Sequence, residues 1–138
     1  MATVESIIPG LLMARLAELV LSPPLPVAWP DVPFTPPAGS YIEATFMPNT
    51  NVNLFVGNDA TTQHQGILQV TVVSKAGGGI VAPMEIAGQV VAHFAKGIRV
   101  SGQGVTVRVS AKPSVARPLQ DADRIRVPVT ILYDCFAR

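Results

Sequence analysis

Few side chains in this sequence could catalyse a reaction or bind a metal, and they are scattered along the chain. His64 and His93 are the residues that titrate near neutral pH without help from their surroundings. Cys135 is the single cysteine, which excludes an intramolecular disulfide. Asp121 and Asp123 are close in sequence but have no third acidic residue beside them. The sequence also contains no Cys/His cluster that could bind zinc, so we expect no metal, no cofactor and no catalytic site.

The sequence around these residues favours structural roles for them. His64 lies between two glutamines in a segment that we expect to be a polar loop. His93 lies late in a predicted helix, where we expect it to be partly exposed. Cys135 follows Tyr133 on the inward side of the last predicted strand, which is typical of an inert core thiol.

The composition indicates one domain that buries part of its surface against other chains. A length of 138 residues suffices for one hydrophobic core. Charged residues make up 14% of the chain, whereas a soluble domain typically has about 25%. A net charge of +1 gives no general reason to bind nucleic acid or a membrane. The longest apolar stretch, 11–21, is interrupted by Arg15 and Glu18 and is too short to cross a bilayer, so we expect a soluble protein of the cytoplasm.

Charge is distributed unevenly along the chain. Residues 1–95 contain two basic and six acidic residues, whereas residues 96–138 contain eight basic and three acidic ones. One interpretation is that solvent-facing strand positions happen to be arginine. The other is that complementary surfaces join subunits head to tail, or that a basic surface lines a channel for DNA. The candidates for such a charged face are four arginines at predicted outward strand positions: Arg99, Arg108, Arg124 and Arg126.

Residues 1–40 are predicted to form a helix followed by an extended arm. An apolar stripe at three- and four-residue spacing predicts a helix over 1–21, which either begins near Pro9 or kinks there. The stripe consists of Ile8, Leu12, Leu16, Leu19 and Val20. Seven prolines within residues 22–37 exclude helix and central strand, so we expect 22–40 to be a stiff, proline-rich arm. Trp29 and Phe34 lie in this arm, and their rings need to pack on the same domain or on a neighbouring subunit.

Residues 41–138 are predicted to form a sheet with one helix. Pro83 and Gly97 mark the ends of a helix over 82–96. Residues 49–65 are expected to form a long loop, with or without a short strand, and 112–123 a second loop. The predicted fold is α+β, with an antiparallel sheet that carries two helices on one face. Alternating apolar residues predict strands at 41–47, 67–75, 98–101, 105–110 and 124–136, with Tyr41 on the outward side of the first. The predicted core consists of the inward strand residues and the apolar stripe of the second helix: Ile42, Phe46, Leu68, Val70, Val107, Val127, Val129, Ile131, Val90, Val91 and Phe94.

Several segments, taken in chain order, resemble one known family. They are VAWPDVPFTP (27–36) after a short amphipathic helix, QGILQV (65–70) after a strand that ends at Pro48, the glycine-rich joint and helix with Phe94, and RVPV (126–129). Together they cover almost the whole chain. On these segments the chain resembles the tail terminator-like proteins of long-tailed, non-contractile bacteriophages (siphophages).

The resemblance implies a structural virion protein that is not an enzyme. Such proteins form a ring, usually a hexamer, on the head-proximal end of the tail tube, in the neck region. The ring stops tube polymerisation and provides a surface for head–tail joining. The implied partners are further copies of the chain, the tail tube protein and a head or neck connector protein. DNA only passes through the ring, no membrane is involved, and assembly takes place in the host cytoplasm.

Two other functions stay open at this point. A neck or head-completion protein of the same virion would also be a ring-forming α+β domain. A small-ligand-binding or enzymatic α+β domain would instead remain a monomer of 14.5 kDa. The candidates for contact with the tube or with a neighbouring subunit are the large apolar residues of the arm and the long loop: Trp29, Phe34, Leu54, Phe55 and Val56.

Overall fold

The computed structural model describes residues 2–22, 24–57 and 61–137. Within these residues the chain forms two helices and a nine-stranded sheet. The helices are α1 (Val4–Ala17) and α2 (Val81–His93). The strands are β1 (Val27–Ala28), β2 (Tyr41–Pro48), β3 (Val52–Asn53), β4 (Thr62–Lys75), β5 (Arg99–Gly102), β6 (Val105–Val109), β7 (Ser114–Val115), β8 (Leu119–Asp121) and β9 (Arg124–Ala137).

Two long strands, β4 and β9, form the centre of the sheet. They pair antiparallel over their full lengths, and the main strand order is β1-β2-β4-β9-β6-β5. The other edge of β9 pairs in succession with β8, β7 and β6, which curls the sheet. The prediction of a purely antiparallel sheet was wrong, because β1 pairs parallel with β2. The chain between β1 and β2 travels back along the sheet, so both strands run in the same direction.

Both helices contribute to one hydrophobic core on one side of the sheet. Leu12 and Leu16 of α1 and Val90 of α2 are buried together with the inward-facing residues of β4 and β9. Phe94 and Ile131 are fully buried at the centre of this cluster. The predicted core is confirmed except that Phe46 and Val91 are only partly buried. The confirmed positions are Ile42, Leu68, Val70, Val90, Phe94, Val107, Val127, Val129 and Ile131.

Both helices are shorter than predicted. α1 continues through Pro9 and ends at Ala17, four residues before the predicted end. The backbone N–H groups of Glu18 and Leu19 bond to carbonyls three residues back, which tightens the last turn into 3₁₀ geometry. The chain then turns so that Leu21 is buried, while Val20, which was predicted on the apolar stripe, is 88% exposed. Similarly, α2 ends at His93 rather than at residue 96.

The proline-rich segment 22–40 supplies an edge strand and covers part of the sheet. Residues 27–28 form β1, as the proline content allows only at an edge. The ring of Phe34 lies 5.1 Å from the ring of Tyr41, on the side of the sheet away from the helices. Tyr41 was predicted to point outward with polar neighbours, yet it is buried because this segment lies over it.

Both predicted loops contain strand residues. Within 49–65, β3 and the start of β4 pair with each other, and β4 begins at Thr62. The prediction that His64 lies in a polar loop was therefore wrong, since it is a buried residue of β4. Within 112–123, β7 and β8 both pair with β9. Two prolines make that segment resemble a loop, but pairing with the distant β9 determines its structure.

Candidate assembly surfaces

The register of β4 and β9 brings two of the chemically reactive residues together. His64 pairs directly with Cys135, and both are buried on the helix side of the sheet. Burial, and secondly the charge of Asp134, raises the pKa of the Cys135 thiol, so the reactive thiolate is disfavoured. The Nε2 atom of His64 has no hydrogen-bond partner. The pair therefore lacks the activated nucleophile that covalent catalysis requires.

The remaining reactive residues have structural contacts or lie at the surface. The Nε2 of His93 lies 2.6 Å from the carbonyl oxygen of Arg15. Asp121 lies at the end of β8, 3.6 Å from the Nε of Arg126, and Asp123 is exposed. Among the described residues, no three His, Cys, Asp or Glu side chains form a group that could bind a metal.

The predicted apolar loop residues lie together at one end of the sheet. Leu54, Phe55 and Val56 follow β3 directly, and β3 pairs with the start of β4. All three are exposed, and Phe55 has 65% of its surface in solvent. The predicted loop continues into residues 58–60, which are outside the described part of the chain. This loop end presents a group of large apolar side chains that the described part of the domain does not cover.

The two aromatic residues of the arm pack on their own chain. Trp29 is half-buried against the main core and lines an apolar groove of about 420 Å³ together with Met13 and Phe46. Phe34 packs on Tyr41. The guanidinium of Arg124 fixes the following residues, because it donates hydrogen bonds of 2.6 Å to the carbonyl oxygens of both Pro37 and Gly39.

The four candidate arginines lie at outward positions on the side of the sheet away from the helices. They form two groups at opposite ends of β9. At one end Arg99 pairs with Arg108, and Arg108 pairs with Asp134. At the other end Arg126 lies 3.9 Å from Glu43 within the same chain, and Arg124 binds the arm.

The two arginines of the first group differ in their contacts. Arg108 donates two hydrogen bonds to the Asp134 carboxylate, at 3.0 and 2.6 Å. These bonds, together with the attraction of the two charges, raise the pKa of Arg108 above its ordinary value. Arg99 is exposed and lines a groove of about 210 Å³ beside Asp134 and Phe136. Arg99 is thus the candidate that is most available to a partner.

Sequence reasoning missed two apolar surfaces. The first, the open outer face, lies on the side of the sheet away from both helices and consists of Met47, Ile67, Leu132 and Phe136. The second, the outer face of α2, consists of Ile80, Val81, Met84, Glu85 and Gly88. A signal for the second was present in the sequence, since Glu85 is the only Asp, Glu, Lys or Arg within α2. The open outer face has no such signal, because it forms only when strands far apart in sequence pair in this register.

Two of the comparisons with known proteins found a match. Residues 8–133, from α1 to β9, match the model of a family described as "Phage tail terminator protein". A solved structure aligns with a TM-score of 0.81 and 30% sequence identity, over 97% of this chain and 96% of that chain. None of the curated proteins matches the chain. Neither described helix is long and apolar enough to span a membrane. The chain therefore belongs to the phage tail terminator family and is a structural protein of the phage tail.

Proposed function

We propose that residues 1–138 act as one domain that assembles into a ring, a hexamer in the family it resembles, on the head-proximal end of the tail tube. The ring stops tube polymerisation and provides the surface for head–tail joining, with DNA passing through its channel. Family membership supports contacts with other tail or head proteins. The ring and its partners explain why a chain with 14% charged residues carries so much exposed apolar surface.

The exposed loop end is the observation that carries this proposal. Leu54, Phe55 and Val56 form an apolar cluster with polar neighbours, which is the composition of an interface core with its rim. A terminator must bind the last tube subunits through the contacts that the next tube subunit would otherwise make. Burial of Phe55 would contribute roughly 1.5–3 kcal/mol per subunit. Repeated around a ring, this contribution favours capped over uncapped tubes.

The proposal is tested by replacing Phe55 in the phage. A Phe55→Ser subunit that still folds should give tails of uncontrolled length, or tails that do not join heads, in electron micrographs. Val20→Ser is the matched control, because Val20 is an exposed apolar residue outside the loop. Normal tails joined to heads in the Phe55 variant would show that the loop is not the tube contact, and the arm around Trp29 and Phe34 would become the candidate.

The basic face is the second element of the proposal. Arg99, Arg108, Arg124 and Arg126 would line a subunit boundary or the channel. Reversing the charge of two of them should weaken subunit association, and the effect should shrink at high salt. Arg99 is the best first choice, since it makes none of the ion pairs found among the described residues. Unchanged assembly would mean that these arginines are solvent-exposed strand residues that take no part in subunit association.

A further inference from the structure

Helix α2 carries apolar residues on its exposed side as well as on its buried side, and its polar residues Glu85, Gln89 and His93 lie along one edge between the two. Ile86, Ala87 and Val90 face the core. The opposite side carries Val81 and Met84, which are exposed. A surface helix normally turns charged and polar residues to solvent, not large apolar ones such as Val81 and Met84. The outer face of α2 is therefore expected to be covered in the assembled protein.

The open outer face lies on the other side of the sheet and is also uncovered by the described residues. Leu132 alternates with the core residues Ile131 and Tyr133 along β9, which places it on the side opposite to α2. Phe136 follows on the same side, and it is half exposed. Two grooves, of about 310 and 210 Å³, run beside Asp134 between these side chains. The surface thus has apolar ridges, and between them depressions with partly polar walls into which side chains of a helix could fit.

The charges of the two surfaces are complementary. The α2 outer face carries one carboxylate, Glu85, and the groove on the open outer face carries Arg99. Neither residue takes part in the ion pairs found among the described residues. Arg108 neutralises Asp134 beside Arg99, so the groove as a whole keeps a positive charge.

We propose that the α2 outer face of one copy packs on the open outer face of the next copy, with Glu85 beside Arg99. This contact rests on the proposed ring, which it deepens by naming the two surfaces that join its subunits. The two surfaces lie on opposite sides of the same sheet, so one chain cannot satisfy its own contact. A contact between different surfaces is heterologous, and it continues from copy to copy until the ring closes. Gly88 lets the helix backbone approach closely, because it has no side chain on that side.

Cross-linking between introduced cysteines tests the contact directly. A Met84→Cys/Leu132→Cys double variant, treated with a short bismaleimide, should give a ladder that ends at the size of the closed ring. A mixture of the two single variants should give dimers, and each single variant alone should give only monomer. The wild type, whose single thiol is the buried Cys135, and a Val20→Cys/Leu132→Cys variant are the controls that should stay monomeric.

Charge exchange tests the proposed pairing. Glu85→Arg should raise the subunit dissociation constant at least about tenfold, and Arg99→Glu in the same chain should restore most of the loss. Both residues are exposed, so the variants should keep the melting temperature of the monomer. Glu5→Arg, which reverses an exposed carboxylate on α1, is the matched control and should leave association unchanged.

The outcomes separate this contact from the proposed ring. If the wild type stays monomeric even with tail tubes, both the ring and the contact are wrong. If the ring forms without Met84–Leu132 cross-links, or if Glu85→Arg associates as tightly as the wild type, the proposed contact is wrong but the proposed ring is not. Dimers from either single variant alone would indicate a two-fold contact and would overturn the head-to-tail arrangement. A ladder together with normal tails in Phe55→Ser supports the contact and rejects the loop as the tube surface.

Discussion

Arg15 and His93 join the ends of the two helices by exchanging hydrogen bonds. The Nη2 of Arg15 donates to the carbonyl oxygen of His93 over 2.8 Å, and the Nε2 of His93 donates to the carbonyl oxygen of Arg15 over 2.6 Å. The last carbonyls of a helix have no partner within the helix. Arg15 therefore satisfies a terminal carbonyl of α2, and His93 gives the carbonyl of Arg15 a second donor beside the N–H of Glu18. The two helices are thus fixed to each other as well as to the sheet.

Replacing His93 tests this link. His93→Ala should lower the free energy of unfolding by about 0.5–1.5 kcal/mol, because the carbonyl of Arg15 loses the hydrogen bond from His93 and keeps only the one from the N–H of Glu18. His93→Gln should lose less, since the side-chain amide can still donate. Urea denaturation followed by circular dichroism measures both values. Equal losses for the two variants would mean that packing, not the hydrogen bond, is what His93 contributes.

Gly66 is a position at which even alanine should destabilise the protein. A Cβ at this position would lie 2.6 Å from the hydroxyl of Tyr133 and 2.7 Å from the carbonyl oxygen of Met47, on the neighbouring strands. Gly66→Ala should therefore cost about 1–3 kcal/mol of stability. Adding Tyr133→Phe should recover only part of it, because the backbone clash with Met47 remains. Gly10→Ala is the control: nothing lies within 4 Å of the added Cβ in this helix, so stability should rise by about 0.5–1 kcal/mol.

Tyr133 should make the protein less stable at high pH. Burial, with a smaller contribution from Cys135, raises the pKa of its hydroxyl to about 12. As pH rises above 10 the unfolded chain loses this proton before the folded chain does, so stability falls until the pH passes about 12. The loss should be about 1–2 kcal/mol. Denaturation of the wild type and of Tyr133→Phe at pH 8 to 12 isolates this loss, because the variant has no ionisable hydroxyl at this position. If the free energy of unfolding fell in parallel with pH for the two proteins, Tyr133 would ionise as in the unfolded chain.

Arg124 should control the mobility of the proline-rich arm. Its two hydrogen bonds to Pro37 and Gly39 need the forked guanidinium, and the single ammonium of lysine does not reproduce that geometry. Arg124→Lys should speed local opening of residues 29–40 roughly five- to thirtyfold. Amide hydrogen exchange of that segment measures the change, with Arg117→Lys at an exposed site as the control. Unaltered exchange would show that the contact between the tilted rings of Phe34 and Tyr41 holds the arm without Arg124.

The sequence alone determined which side of each long element is buried. Alternation along 67–75 and 124–136 placed Leu68, Val70 and Ile131 in the core, and helical spacing did the same for Phe94 and Val90. This succeeds because the period of a strand or helix is a local property that the side chains within one segment record. The segments from 27–36 to 126–129, taken together in chain order, also sufficed to indicate the family, which the match over residues 8–133 confirms.

Tertiary structure alone decided which strands lie side by side and which surfaces stay open. The parallel pairing of β1, the strands β7 and β8, and the burial of His64 beside Cys135 all depend on partners far away in sequence. Tyr41 shows the same limit, because its outward position is buried only where the arm folds over it. The open outer face appears only when β2, β4 and β9 align Met47, Ile67 and Leu132. Local periodicity records which side of a strand is apolar, whereas long-range pairing decides which of those sides meet and which remain for a partner.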